Sequence, residues 1–420
     1  MDTDSRIREI EKELDVYHMQ SKFIQEYKGN RNQALLDVLR VFEFGFIASF
    51  VYDVEQDSLG IEDAEYRMLL NAHNLQDALK IAVQWIYDEC ILSQSSIAYE
   101  LDNHCFCLCT DFLINHADPY SLIVDGFTSY SQGLCGARYD KNKIYFDCTS
   151  DFLRTYMTYL GEQLSDNKDS FQIEFIDLMK KNEFSTSVDQ FSTTIHYEDG
   201  KLCYEVDAEL AEQLHMVSEK HWENTSSVPH NWEFDYFSLS EFKKCWDVIY
   251  QLCFAHFIAI LKAPKKHNNI ANIVIIQKKR DIIDIVSELS GCEQKIVTEI
   301  IRILTYDPKL KNNDIMYQPL VEINDCCIIT PSLIMSSSPE RNLICILQAY
   351  KDKMYFKNVN ELEQKMISDL KQTISSTAKT CSGVNIGVTD IDFGIYDLES
   401  NAILISEMKW LIAADSVREV

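Results

Sequence analysis

Near the end of the sequence two short apolar runs each carry groups able to do chemistry. Asp392 lies in Thr389-Asp390-Ile391-Asp392-Phe393-Gly394-Ile395-Tyr396-Asp397, and Glu407 and Lys409 close Ile403-Leu404-Ile405-Ser406-Glu407-Met408-Lys409-Trp410. Two carboxylates and a lysine on paired strands can hold a divalent metal and activate a water. Asp392 and Glu407 are hard oxygen donors suited to Mg2+ or Mn2+. The backbone carbonyl of Met408 offers a third ligand. A metal placed there lowers the pKa of its water and stabilises developing negative charge. Lys409 would orient or help deprotonate that water and offset charge on a scissile phosphate.

Side chains on a strand alternate between faces. Glu407 and Lys409 therefore point the same way as Ile403 and Ile405, and Asp392 shares a face with Gly394 and Tyr396. A hairpin loop of Glu399-Ser400 sets Asp392 opposite Glu407. A loop of Ser400-Asn401 sets it opposite Lys409. Either register gathers the three groups on one face, whereas a three-residue loop breaks the arrangement unless a bulge restores it. Gly394 is expected to leave room beside the carboxylates. Three other Glu-x-Lys copies, starting at Glu241, Glu293 and Glu363, fall in helical patterns, where residues two apart do not share a face.

An upstream helix, an acid on one apolar run and Glu-x-Lys on the next together resemble the PD-(D/E)xK nuclease superfamily. The resemblance covers residues 359–420. It implies a restriction-endonuclease-like αβββαβ core that hydrolyses phosphodiesters with a divalent metal. It also implies Asp392, Glu407 and Lys409 as the catalytic triplet and Asp390 as an accessory acid. Glu363, preferred to Glu361, would be a further acid from the first core helix. The chain departs from the family pattern in two ways. Thr389 or Ile391, not proline, precedes the acids. The second core helix can only begin before Val420, and the fourth strand is missing. The expectation is a partial αβββ core, completed by a longer chain or by a second one.

Around this hairpin the sequence predicts an α+β fold in three parts. Residues 1–263 form an acidic, mainly helical region with a strand-rich patch at about 96–147. Residues 264–338 form a winged-helix-like segment, and 339–420 the partial nuclease-like module. Apolar periodicity predicts helices from about residue 5 and over 33–52, 64–92 and 151–164. Ser238-Leu239-Ser240-Glu241 has capping-box spacing and opens a helix to about 261, which Pro264 ends. The alternating runs at 105–109 and 143–147 read as strands. Helices at 280–289 and 292–304, then strands at 317–323 and 326–330 joined at Asn324-Asp325, give the order of a winged helix-turn-helix. A helix is expected from about 340, and another, capped by Asn360, to about 375.

Composition limits the alternatives. Hydrophobic residues at 46% and charged residues at 25% are ordinary globular values. The polar N-terminus does not resemble a secretory signal. The densest apolar runs, 41–51 and 246–261, are short or interrupted by Glu43, Asp247, Gln251 and His256, so no membrane span and a cytoplasmic location are expected. Fourteen scattered cysteines read as reduced thiols. Cys105, Cys107 and Cys109 lack the spacing of zinc knuckles and read as core packing, as does His256. Phosphate loops, dinucleotide fingerprints, nucleophile elbows and His-Glu-x-x-His are absent from the sequence, and with 12 glycines an ATPase or dehydrogenase is not expected. A net charge of −27 excludes a chain that coats nucleic acid globally. It leaves a local basic surface at Lys262, Lys265, Lys266, His267, Lys278, Lys279 and Arg280. The predicted function is a metal-dependent nuclease acting on DNA, in genome defence or repair, with a protein partner for the acidic N-terminal region. The alternative is a non-enzymatic interaction or sensor protein whose nuclease-like module is incomplete or inactive.

Overall fold

The computed structural model describes residues 9–10, 12–13, 16–55, 75–92, 98, 100–131, 133, 135–140, 143–148, 192–198, 201–206, 228–262, 272–310, 313–374, 378–386 and 389–406. The N-terminal part forms α1 (Lys22–Tyr27), α2 (Arg31–Glu55), α3 (Leu75–Glu89), α4 (Asn103–Asp111), a π turn at Phe112–Ala117, and α5 (Asp118–Ser131). Two hairpins follow, β1 (Cys135–Asp140) with β2 (Lys143–Cys148), and β3 (Ser192–Glu198) with β4 (Lys201–Val206). Then come α6 (Leu239–Lys262), β5 (Ile275–Lys278), α7 (Lys279–Ser290), α8 (Gln294–Leu304), β6 (Leu320–Ile323) and β7 (Cys326–Ile329). The short α9 (Pro331–Met335), α10 (Pro339–Tyr350) and α11 (Lys353–Thr373) lead to β8 (Ala378–Ile386), β9 (Thr389–Asp397) and β10 (Ala402–Ser406). The chain is thus a mixture of helices and small antiparallel sheets, an α+β fold. The expected helix at 151–164, the 64–74 part of another and most of the N-terminal one lie outside the described residues.

Every residue from 32 to 43 is buried, so this part of α2 has no solvent face. It nonetheless carries Asp37, Arg40 and Glu43, one turn apart, and buried charge needs partners. The Asp37 carboxylate accepts from Tyr27 Oη at 2.7 Å and Gln33 Nε2 at 2.8 Å, with Arg40 Nη1 at 3.4 Å. Glu43 Oε2 accepts from the Ser332 amide at 3.0 Å and from its hydroxyl. Ser332 belongs to α9, 289 residues along the chain.

Two cores meet at the sheet of order β5-β7-β6. Strand alternation sends Val321, Ile323 and Ile328 into a core with α1 to α4. It sends Ile275, Leu320, Cys327 and Ile329 into a second core with α6, α7, α8 and α10. A sheet covered on both faces reads as continuous apolar runs rather than alternation, as Cys326-Cys327-Ile328-Ile329 does. Polar contacts tie the layers: Gln76 Nε2 to Ser336 Oγ at 2.9 Å, Asn32 Nδ2 to Asn324 Oδ1 at 3.2 Å, and a Lys80–Asp314 ion pair.

The capping box forms. Ser238 donates its amide to Glu241 Oε2 at 2.7 Å, and the Glu241 amide donates to Ser238 Oγ at 3.2 Å. The Asn324-Asp325 turn also forms, with Asn324 at φ +56°. Three expectations are corrected. Residues 105–109 are helical, not a strand, because the Asp102 carboxylate accepts from the Cys105 amide at 2.8 Å and caps α4. Cys105 and Cys109, four apart, then share the face turned to the first core. Asn360 lies inside α11, not at its start. Asp352 caps that helix, accepting from the Tyr355 amide at 2.8 Å. The strand expected from 317 begins only at Leu320, because Asp314 closes a turn with the Met316 amide at 2.9 Å.

Candidate active site on the C-terminal sheet

β9 is the middle strand of a sheet of order β10-β9-β8. The turn into β10 is built by Asp397, whose carboxylate accepts from the Ser400 hydroxyl and from the amides of Glu399 at 3.3 Å and Ser400 at 3.1 Å. Ser400 first, and then these amides, hold the Asp397 carboxyl below the usual carboxylate range. Asn401, at φ +55°, completes the reversal. Pairing then runs from Ala402↔Asp397 to Ser406↔Phe393. Its centre lies between Glu399 and Ser400, the first of the two registers open to the sequence, although the turn spans four residues rather than two.

The two faces of this sheet differ. Phe393 is 2% exposed. Lys371 Nζ of α11 donates to Ser382 Oγ at 2.6 Å, and Ser382 pairs with Phe393. The C-terminal end of α11, at Lys371, therefore reaches the Phe393 face, and Asp392, one residue earlier, belongs to the other. Asp392 is half-buried. The flanking pairs Ser382↔Phe393 and Val384↔Ile391 bracket Gly383 against it. Gly383 has φ +62°, and a Cβ there would meet nothing within 4 Å. The position opposite Asp392, at Gly383, is thus open. Gly394, expected to leave room beside it, does not: a Cβ there would stand 2.8 Å from Cys381 Sγ, because Cys381 is its partner on β8. Gly383 lies in the mixed run Cys381-Ser382-Gly383-Val384-Asn385, so the sequence pattern alone does not single it out.

Glu363 is half-buried on α11. Burial pushes the nearby Tyr355 hydroxyl up, and the Glu363 carboxylate adds to that shift. Glu363 thus lies on α11, about two turns before Lys371. Asp390 lies on β9, paired with Asn385. Glu407, Met408 and Lys409 lie outside the described residues. Among the described residues no group of three or more His, Cys, Asp or Glu comes together as a ligand set. Of the expected metal donors, Asp392 is the one described.

Elsewhere, titratable groups serve packing. His256 is buried, bonded through Nε2 to the Asn272 carbonyl at 2.9 Å, and burial lowers its pKa to about 4. Burial pushes the Cys245 and Cys327 thiols up to about 12, which makes them poor nucleophiles. In the basic stretch Lys279 pairs with Glu322 at 2.5 Å and Arg280 with Asp284 at 3.7 Å. Residues 265–267 lie outside the described residues. No helix among those described is long and apolar enough to cross a membrane. Compared with known proteins, the chain matches no family model, no curated protein and no solved structure.

Proposed function

We propose that the C-terminal module is a metal-dependent nuclease unit that hydrolyses phosphodiesters, those of DNA first. The β9–β10 register carries this reading. Continued one pair beyond Ser406↔Phe393, the same alignment would set Glu407 against Asp392. Asp392, Glu407 and the Met408 carbonyl would then hold Mg2+ or Mn2+, which supplies Lewis acidity and an acidified water. Lys409 orients that water and offsets phosphate charge. Gly383 leaves the Asp392 face approachable, and Glu363 on α11 would be the further acid. The order α6-β5-α7-α8-β6-β7, with strands arranged β5-β7-β6, supports a winged helix-turn-helix in the middle of the chain. Lys278, Lys279 and Arg280 give it a local basic edge toward nucleic acid. A role in cytoplasmic genome defence or repair follows by analogy with such assemblies.

The test is incubation of the chain with DNA and Mg2+ or Mn2+. Cleavage that Asp392→Asn, Glu407→Ala and Lys409→Ala each abolish is the expected result. No cleavage, or cleavage indifferent to all three, overturns it. The second reading, a non-enzymatic interaction protein, is favoured by one observation, the bare apolar strand β10.

A further inference from the structure

Among the described residues β10 is an edge strand. Its Ile403, Leu404 and Ile405 are 69%, 59% and 60% exposed. Successive residues point to opposite faces, so the strand is apolar and bare on both. Exposed edges are ordinarily guarded by charge, proline or a bulge. Ala402-Ile403-Leu404-Ile405-Ser406 holds no charge and no proline, and its five pairs with β9 run without a shift. A strand apolar on both faces is the pattern of a strand inside a sheet.

We propose that β10 is a docking edge for an extended apolar segment of a partner protein, one that carries lysine or arginine beside its apolar residues and adds to the sheet as a further strand. Charge selects this occupant. The turn leading into β10 presents the exposed Glu399 beside the half-buried Asp397. Over residues 378–406 the one cation is Lys379, against Asp390, Asp392, Asp397 and Glu399. An added strand lies about 4.8 Å from β10, which brings a long basic side chain within reach of the turn carboxylates. The whole chain, at −27, steers a cationic segment toward itself. A second copy of this chain fits less well. It brings the same acidic turn and the same net charge. Pairing through residues 402–406 also engages far fewer than the roughly 20–30 residues a side of a stable interface. The inference is independent of nuclease chemistry, since it concerns the open backbone edge of β10.

The experiment uses the full chain and a fluorescent synthetic peptide with a run of valines between paired lysines, read by anisotropy. The lysine-flanked peptide is expected to bind, and the same peptide with glutamates in place of the lysines is not. Leu404→Lys should weaken binding about tenfold or more. Glu399→Gln, which leaves the Asp397 turn acceptors in place, should weaken it several-fold at low salt and little at high salt. If Leu404→Lys lowers the thermal transition, Ile403→Lys, at the most exposed of the three positions, replaces it. Absence of binding, equal binding of the glutamate-flanked peptide, or indifference to both substitutions overturns the proposal. So does a dimer in sedimentation that Leu404→Lys dissociates, which assigns the edge to a second copy.

Discussion

Glu43 is a carboxyl group with no route to water. Its Oε2 takes both Ser332 donors, while its Oε1 has no hydrogen-bond partner. Burial pushes its pKa from 4.5 up to about 7, against the pull of Ser332. The folded state therefore prefers the protonated acid. That preference contributes fully below about pH 4.5 and is lost as pH rises to about 7, a difference of order 3 kcal/mol. Glu43→Gln removes the charge and keeps the shape. It should be more stable than the parent in urea at pH 8, with the gap closing toward pH 5; a constant gap would show that Glu43 does not titrate there. His256 has the opposite sign. With its pKa lowered to about 4, its contribution is present above about 6.5 and lost as pH falls toward 4, so the comparison must be between variant and parent at each pH. Thiols give a second residue-scale expectation. Iodoacetamide at pH 8 should label the exposed Cys381 before the buried Cys245 and Cys327, read by peptide mass spectrometry. At this scale the sequence makes Asp392 legible by type and spacing. The open position beside it is not legible, because choosing Gly383 over Gly394 requires the β8 register.

Among the elements, α11 shows what a start signal is worth. Asp352 Oδ1 caps it through the Tyr355 amide, and Oδ2 accepts from the Asp235 amide at 3.0 Å. Asp235 in turn accepts from the amides of Lys353 and Met354 at 3.2 Å each. Asp352→Ala should cost about 1–2 kcal/mol in chemical denaturation, and no loss would mean that Asp235 caps the helix alone. From sequence the cap falls at Asn360, inside the helix that Asp352 starts. The contact that decides, with Asp235, is more than a hundred residues away. Ser238 and Glu241 are legible because both partners of their cap lie within one turn. The run at 105–109 misleads for a related reason. Cysteines at 105, 107 and 109 fit a strand period, while 105 and 109 alone fit a helix face, and the Asp102 cap settles it for the helix. β5 is easily overlooked: its residues, Ile275–Lys278, become a strand only by pairing with β7.

For the whole molecule the β5-β7-β6 sheet is decisive. Ile328 and Ile329 are chain neighbours, yet each is wholly buried in a different core. Ile328→Ala and Ile329→Ala should each cost about 2–5 kcal/mol. Followed by circular dichroism and by tryptophan fluorescence, each should lower one common unfolding transition. Two separated transitions would mean that the cores fold independently. The sequence names the apolar residues of these strands but not that they face two ways, since a short continuous apolar run carries no face information. The same sheet bears on how the protein is made. The helix α2 leaves the ribosome long before β7 and Ser332 exist, and 289 residues separate Glu43 from its serine. At roughly 5–20 residues per second, the part of α2 that faces α9 waits about 15–60 s uncovered. Until then that surface is open to aggregation, and the completion of β7 and α9, rather than of any N-terminal helix, sets the moment at which it is covered.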